Sequence, residues 1–178
     1  MAMADGSIRC YSPDPRGIIP LEDFHIPHGS RKTLADPAWE LRFDTVFEQV
    51  IRACGQRDET WIDETIICSY LALHQAGHAH SVEVWREGQL AGGLYGVRLG
   101  AAFFGESMFS AVQGASKVAL VRLVEDLGER GFLLLDTQWT TPHLERFGAH
   151  SIPRKSYLKL LEKAVHTPAH WPSIITPS

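Results

Sequence analysis

Residues 80–110, HSVEVWREGQLAGGLYGVRLGAAFFGESMFS, contain the strongest β-strand pattern of the chain. In the first part of this stretch, Val82 and Val84 alternate with more polar residues, which is the period of a strand with one buried face. Apolar runs from Leu90 to Leu99 and from Ala101 to Phe109 follow, each after a short connection that contains glycine. This spacing predicts an antiparallel meander of three strands.

A long helix and a buried strand are predicted after the meander. Ala115 to Arg130 places its leucines on one helical face, and Gly131 is suited to ending the helix. The next stretch, Phe132 to Thr137, starts with a continuous apolar run, which is typical of a strand covered on both faces and parallel to its predecessor. The last strand of the meander, the helix and this strand therefore predict a right-handed βαβ unit.

Shorter elements are predicted around this unit. They are an extended piece at Gly17–Pro20, a strand at Trp39–Phe43, a helix capped by Asp44 and ending near Cys54, a helix at Ile62–Gln75, a short helix at His143–Phe147, a strand near Ala149–Ile152 and a helix at Ser156–Val165. The order of the elements predicts an α/β (α+β) fold with a mixed, mostly antiparallel sheet.

Composition limits the class of protein. The 178 residues are 44% hydrophobic and 21% charged, which fits one globular domain with a sizeable core. A formal net charge of −4 does not favour a strongly basic nucleic-acid-binding protein. The three cysteines, Cys10, Cys54 and Cys68, are scattered, as in proteins of a reducing compartment. Because we find no apolar signal sequence and no run of about 18 apolar residues, we expect a cytoplasmic protein.

Asp136 and Gln138 form the clearest functional pattern. Both lie at the end of the predicted parallel strand, where ligand clefts form in sheets of this kind. Two residues apart on a strand, their side chains are expected on one face, where a carboxylate and an amide can hold and orient an amine. The alternative is that Asp136 only caps the turn that follows the strand.

Glu106 is a single charge among the apolar residues of the neighbouring strand. A buried carboxylate is costly unless it is paired or faces a cleft. Glu106 therefore either meets Asp136 and Gln138 across the βαβ unit, or it pairs with a basic residue such as Lys117 or Arg154. The adjacent Gly105 predicts a β-bulge that interrupts the alternation of faces here.

Other catalytic patterns are weak. His74, His78 and His80 are close together, but no cysteine or acidic ligand accompanies them, so we expect no metal site. Neither Ser110 nor Ser116 lies in a G-x-S-x-G motif, which leaves covalent nucleophilic catalysis without support. Because the sequence contains no P-loop and no G-x-G-x-x-G motif, it does not indicate a nucleoside triphosphate or a dinucleotide.

Several short segments, taken together, resemble the leucyl/phenylalanyl-tRNA–protein transferase family. The segment FGESMFS, followed by ASK, is the most specific of them, and the resemblance extends from about Tyr11 to Leu161. In chain order the segments are Ser12–Gly17 (SPDPRG), Thr60–Ile62 (TWI), His80–Trp85 (HSVEVW), Gly92–Val97 (GGLYGV), Phe104–Ser110 (FGESMFS), Ala115–Lys117 (ASK), Leu135–Gln138 (LDTQ) and His143–Ala149 (HLERFGA).

The resemblance implies a fold similar to the GCN5-related acyltransferases. It also implies an enzyme that transfers Leu or Phe, and also Met, from aminoacyl-tRNA to proteins whose N-terminal residue is Arg or Lys. The transfer marks these proteins for degradation by the N-end rule. The resemblance implies no cofactor and no metal, and we expect the enzyme to be a monomer without a membrane partner.

The resemblance also implies roles for individual residues. Asp136 and Gln138 match the catalytic pair of the family, and Glu106 matches a residue that helps to hold the acceptor. Tyr11 and Trp85 are expected beside the terminal adenosine of the tRNA. The aminoacyl side chain is expected in an apolar pocket that is formed by Leu94, Phe103, Met108, Leu120, Leu123 and Leu127.

The resemblance suggests a division of the chain into three parts. Members of the family carry an N-terminal segment with a Gly-x-Phe-Pro-Trp-like stretch before Ser-Pro-Asp-Pro, and here MAMADGSIR stands in its place. We therefore expect residues 1–37 to be a loop-rich remnant of a small N-terminal domain. Residues 38–167 are expected to form the acyltransferase-like domain, and residues 168–178 a loose tail.

Two other functions remain open from the residues alone. One is an acetyl-CoA-dependent N-acyltransferase, faintly suggested by residues 113–116 (QGAS) before the long helix. The other is a non-catalytic protein that binds basic N-termini through Glu106 and Asp136.

Overall fold

A computed structural model describes residues 12–57 and 60–172 of the protein. Its helices are α1 (Arg31–Leu34), α2 (Phe47–Gly55), α3 (Glu64–Gln75), α4 (Ala115–Glu129), α5 (Pro142–Glu145) and α6 (Arg154–Val165), and a 3-10 turn lies at His28–Ser30. Its strands are β1 (Arg16–Ile19), β2 (Glu40–Phe43), β3 (Ala79–Arg86), β4 (Gln89–Leu99), β5 (Ala102–Ser110), β6 (Leu134–Gln138) and β7 (His150–Ile152). In the described part of the chain these strands form one sheet in the order β2-β3-β4-β5-β6-β1-β7.

The predicted meander and βαβ unit are confirmed. β3, β4 and β5 are consecutive antiparallel neighbours, and Glu87 and Gly88 join the first two with positive φ angles of 52° and 72°, as two-residue hairpin turns require. Among the strands of the described residues, β5 and β6 are the one parallel pair, and α4 connects them. The mixed, mostly antiparallel α/β sheet is therefore as the sequence pattern predicts.

A β-bulge in β5 lies where Gly105 predicts it. Tyr95 pairs with Ser107 and Gly96 pairs with Gly105, so Glu106 is the extra residue. On one side of the bulge Phe104 packs in the cluster that contains α6, and on the other side Met108 packs in the cluster that contains α4. The bulge therefore changes the face on which the even-numbered residues lie.

β5 and β6 separate beyond a short paired segment. Their pairing runs from Ala102–Leu134 to Phe104–Asp136 and stops there, although both strands continue. α4 covers one face of the sheet with Leu123 and Leu127, and α2, α3 and α6 cover the other. The separation leaves an opening between the two faces at the ends of β5 and β6.

The expectation that β3 has one buried face was wrong, and so was the cap assigned to Asp44. Glu83 is completely buried, and its carboxylate accepts a hydrogen bond from the Val46 backbone N–H at 2.9 Å, close to the start of α2. Asp44 instead accepts hydrogen bonds from the Ser81 N–H and the His80 ring, both at 2.8 Å. Both faces of β3 are covered because α2 docks on this carboxylate.

Both ends of the described chain join the main sheet and core. β1 lies between β6 and β7, so the stretch that we assigned to an N-terminal remnant contributes a strand. Trp171 stacks on Phe103 with ring centroids 5.0 Å apart, and Ala169 is buried. The expected loose tail is therefore wrong for these two residues. None of the helices in the described ranges has the length and apolar character needed to cross a membrane.

Gly17 allows β1 to lie close to the turn after β6, and its substitution is testable. A Cβ atom at Gly17 would lie 2.5 Å from the Trp139 carbonyl carbon and 2.8 Å from the Thr140 nitrogen. We expect Gly17→Ala to lower the free energy of unfolding by about 1–3 kcal/mol, because the backbone must move. Urea unfolding measures this, with Gly128→Ala in α4 as the control, since nothing lies within 4 Å of that position. An unchanged free energy of unfolding in Gly17→Ala would contradict the close approach of β1 to the backbone of Trp139 and Thr140.

Candidate active site

A cavity of about 780 Å³ lies in the opening between β5 and β6. We call it the interstrand cavity. Side chains from α3, β4, β5, α4, β6 and α5 line it, so it extends towards both faces of the sheet. Its volume is in the range of small-molecule binding sites.

One wall of the interstrand cavity is apolar. It contains four of the residues predicted for an apolar pocket, together with Leu135, and the four are Leu94, Met108, Leu120 and Leu123. Phe103 and Leu127 were predicted with them, but they are completely buried core residues and do not line the cavity. The apolar wall therefore contains four of the six predicted residues, and Phe103 packs on Trp171 instead.

Glu106 lines the same cavity from the bulge of β5. Its carboxylate is hydrogen-bonded to the Tyr70 hydroxyl of α3. Burial raises the pKa of Glu106 above its usual range, and the negative charge of Asp136 acts in the same direction. The alternative pairing with Arg154 is not formed, because the guanidinium of Arg154 contacts the Ser12 carbonyl. A buried carboxylate with a hydroxyl partner is suited to receiving a cationic group.

Asp136 is buried behind the cavity wall rather than exposed in it. Its carboxylate accepts hydrogen bonds from the Arg16 guanidinium at 2.9–3.1 Å and from the Tyr157 hydroxyl of α6. It also accepts one from the Gln138 backbone N–H at 2.7 Å, so it caps the turn after β6 as in the alternative interpretation. Burial and this carboxylate raise the pKa of Tyr157. Asp136 therefore connects β1, α6 and the turn, and it is completely inaccessible to solvent.

Gln138 lines the cavity at the end of β6. Its φ angle is 59°, in the left-handed region that costs a non-glycine residue about 1 kcal/mol. Such backbone strain persists where the surroundings hold it in place. Here the Asp136 carboxylate holds the backbone N–H of Gln138, and Gly17 of β1 pairs with the same residue. The buried aspartate thus orients the amide-bearing residue through its backbone.

The two aromatic residues expected beside an adenosine are not both in the described structure. Tyr11 lies outside the described residues. Trp85 does not line the cavity, and the Arg42 guanidinium lies 4.3 Å from the centre of its ring. Trp61 lines the cavity instead. It belongs to the segment TWI that we quoted, but no periodic pattern distinguishes it from a core aromatic residue.

Several other residues of the cavity were not predicted as site residues. They are Arg16, Arg57, Tyr70, Thr137, Trp139 and His143. Arg16 could have been found from the segment SPDPRG, whereas Tyr70 lies inside a predicted helix and belongs to none of the quoted segments. Burial and the nearby cations Lys117 and Arg146 lower the pKa of His143.

Two of the histidines near residues 74–80 lie beside one carboxylate, because the Nδ1 atoms of His74 and His80 are 3.9 and 2.8 Å from Asp44. The His74 ring stacks on Phe47 and lies 2.8 Å from the Ala79 carbonyl oxygen, and the His80 ring contacts Asp44. Among the residues that the structure describes, no three His, Cys, Asp or Glu side chains are placed to bind one metal ion.

Comparison with known proteins gives the family. Residues 18–162 match the family described as leucyl/phenylalanyl-tRNA protein transferase. The protein of that name from Akkermansia muciniphila is 55% identical over 170 residues, which cover 92% of this chain and 88% of that one. The one from Herpetosiphon aurantiacus is 53% identical over 166 residues, or 93% and 87% of the two chains. The one from Salinibacter ruber is 52% identical over 168 residues, or 94% and 74%.

Solved structures with partial similarity were also found. An aminoglycoside acetyltransferase from an uncultured soil metagenomic sample has a TM-score of 0.46 at 12% identity, and the alignment covers 80% of this chain and 97% of that one. A ribosomal-protein-alanine N-acetyltransferase from Brucella melitensis has a TM-score of 0.45 at 15% identity, with 79% and 99% covered. The sequence match over residues 18–162 and the identities above 50% establish that this chain belongs to the leucyl/phenylalanyl-tRNA–protein transferase family.

Proposed function

We propose that this aminoacyltransferase moves Leu or Phe, and also Met, from aminoacyl-tRNA to the α-amine of proteins whose N-terminal residue is Arg or Lys. The product is then a protein marked for degradation by the N-end rule. One observation carries the proposal: the carboxylate-bearing Glu106 and the amide-bearing Gln138 line one cavity with an apolar wall. We further propose that the enzyme is cytoplasmic and monomeric, and that β1 together with residues 38–167 forms its catalytic domain.

The apolar wall supports a donor with an apolar side chain. Leu94, Met108, Leu120 and Leu123 offer a flexible thioether and branched aliphatic groups, and these can contact either an isobutyl or a benzyl group. A pocket of this kind distinguishes poorly between apolar side chains of similar size, which explains acceptance of Leu, Phe and Met together.

The electrostatics of Glu106 support a cationic acceptor. An Arg or Lys side chain next to this carboxylate would offset the cost of ionising it in a buried position. The Tyr70 hydroxyl already holds the carboxylate, so less rotamer freedom is lost when the acceptor binds.

The reaction needs positioning more than covalent chemistry. The lone pair of the acceptor α-amine attacks the ester carbonyl carbon, a C–N amide bond forms, and the C–O bond to the ribose breaks. One amine proton is transferred to the departing ribose oxygen, which becomes a hydroxyl of the released tRNA. Because the ester is already activated, bringing the amine and the ester together in one cavity supplies a large part of the rate enhancement.

Two residues have distinct proposed roles in this step. We assign the Gln138 side chain as the catalytic group, since its amide can hydrogen-bond to the attacking amine or to the oxyanion of the tetrahedral intermediate. Asp136 is a positioning residue, because it reaches the site only through the backbone N–H of Gln138.

The experiment that tests the proposal is transfer of radiolabelled Leu from Leu-tRNA to peptides that begin with Arg or with its neutral isostere citrulline. We expect Glu106→Gln to lower kcat/KM for the Arg peptide about 10- to 100-fold, since hydrogen bonds between charged groups contribute about 1.5–3 kcal/mol. The citrulline peptide should change much less. Absence of Leu transfer by the wild-type protein would reject the proposal.

A matched control is Glu64→Gln, which removes an exposed carboxylate of α3 that does not line the cavity. Its transfer kinetics should equal those of the wild type.

The pH dependence of stability gives a second readout for Glu106. Because burial raises its pKa in the folded protein, its favourable contribution is complete below the unfolded pKa and is lost as pH rises through the folded pKa. The stability of Glu106→Gln relative to wild type should therefore increase with pH, and a pH-independent difference would contradict the burial.

A further inference from the structure

Two large apolar side chains of the interstrand cavity are substantially exposed. Trp139, directly after β6, is 49% exposed, and Leu73 of α3 is 36% exposed. Single exposed apolar residues are common on protein surfaces. These two, however, both belong to the lining of one cavity and come from two different walls. Exposed tryptophan beside a polar site is a frequent feature of peptide-binding surfaces.

The positions of the two residues relate them to the proposed acceptor site. Leu73 lies three residues after Tyr70 on α3, which places it on the same helical face as the residue that holds Glu106. Trp139 follows Gln138 directly. The pair therefore lies at the solvent-exposed border of the cavity that Glu106 and Gln138 line. A polypeptide advances by about 3.3–3.6 Å per residue, so the residue after the N-terminal one can reach this border.

We propose that Trp139 and Leu73 bind the side chain of the second residue of the acceptor polypeptide and make the enzyme prefer an apolar or aromatic residue there. This inference rests on the proposed function, because it presumes that the N-terminal residue of the acceptor lies at Glu106. It adds a specificity determinant for a part of the acceptor beyond its first residue.

The distribution of charge favours the acceptor rather than the tRNA at this border. Arg57 lines the interstrand cavity from the side of β5, where it contacts the Met108 carbonyl, and it also lines a second cavity of about 650 Å³. A guanidinium group there suits a phosphate-bearing ligand. On the side of β6 the guanidinium of Arg16 is already committed to Asp136, and Lys117 and Arg146, which lie near His143, do not line the cavity. The tRNA end is therefore expected beside Arg57.

The backbone of Trp139 is also held in place. Its N–H donates to the Thr137 carbonyl at 2.6 Å, and its carbonyl carbon lies close to Gly17 of β1. A fixed backbone limits the conformational entropy that this residue loses when a ligand side chain packs on it.

Steady-state Leu transfer to peptides Arg-X, where X is Phe, Ser or Glu, tests this inference. For the wild type we expect kcat/KM with X = Phe to exceed that with X = Ser about five- to tenfold, as contact with one aromatic side chain would give. Trp139→Ala should lose most of this ratio. The control Leu158→Ala removes an exposed apolar side chain of α6 that does not line the cavity, and it should keep the ratio.

A change of preference cannot result from misfolding, so Trp139→Arg is the second variant. It is expected to favour X = Glu over X = Phe, because a guanidinium pairs with a carboxylate. An unchanged Phe/Ser ratio in Trp139→Ala overturns the inference. An equal loss of kcat/KM for all peptides in Trp139→Ala, together with a raised KM for Leu-tRNA, also overturns it. That result would place Trp139 at the tRNA-binding site. A wild-type protein that transfers Leu to no Arg peptide refutes the proposed function itself.

Discussion

Asp136→Ala is expected to lower the free energy of unfolding by about 3–5 kcal/mol, because it breaks a buried ion pair from one side. The Arg16 guanidinium, 11% exposed, would lose its partner, and so would the Tyr157 hydroxyl and the Gln138 N–H. Transfer by the remaining folded protein should fall by at least about tenfold, since misplacement of a catalytic group by about 1 Å is costly. Urea unfolding and Leu transfer per folded molecule measure the two effects.

The control for this prediction is Asp126→Ala. Asp126 of α4 is also buried, and its carboxylate forms an ion pair with Arg122 at 2.8 Å, but it does not line the cavity. We expect this variant to retain the transfer activity of its folded fraction. Wild-type kcat/KM in folded Asp136→Ala would contradict the positioning role of Asp136, whatever the change in stability.

Gln138→Ala is expected to lower kcat about 100- to 1000-fold, the size of effect seen when one donor to a transition-state oxyanion is removed. KM for the Arg peptide should change little, because the acceptor's charge is bound by Glu106. Stability should change by less than about 1 kcal/mol, since alanine at this left-handed position costs about as much as glutamine. Single-turnover Leu transfer with saturating Leu-tRNA measures the chemical step directly.

Gln138→Glu distinguishes the two hydrogen bonds that Gln138 can make. Glutamate keeps the length of the side chain and can accept a hydrogen bond from the amine, but an ionised glutamate cannot donate one to an oxyanion. If Gln138→Glu retains kcat, Gln138 accepts a hydrogen bond from the amine. If it loses as much kcat as Gln138→Ala, Gln138 donates a hydrogen bond to the oxyanion. Wild-type kcat in Gln138→Ala would remove this residue from catalysis.

The elements were predictable because their signals are local. Alternation within β3, the apolar run of β4, helical spacing in α4 and the apolar start of β6 depend only on neighbours in sequence. The bulge at Gly105 was also predictable, since glycine inside a strand often marks one. By contrast, burial of Glu83 was missed because its partner, the N–H of Val46, lies 37 residues away.

The predicted site residues also show the difference between local signals and contacts made by distant segments. Leu94, Met108, Leu120 and Leu123 line one cavity, although Phe103 has a similar apolar character and does not. Sequence could not separate them, because whether an apolar residue lines a cavity or fills the core depends on what packs against it. Trp171, 68 residues later in the chain than Phe103, occupies the surface that Phe103 would otherwise expose.

By itself the sequence determined the family, the order of strands and helices, and the location of Glu106, Asp136 and Gln138 near the ends of two neighbouring strands. Only the tertiary structure decided which of these three residues is buried and which two line the cavity. β1 enters the sheet beside β6, so Arg16 reaches Asp136 across 120 residues of chain and encloses its carboxylate, while β5 bulges and separates from β6 to leave Glu106 and Gln138 at an open cavity. Periodic patterns record local conformation, whereas burial and pairing depend on contacts between distant segments that no local pattern encodes.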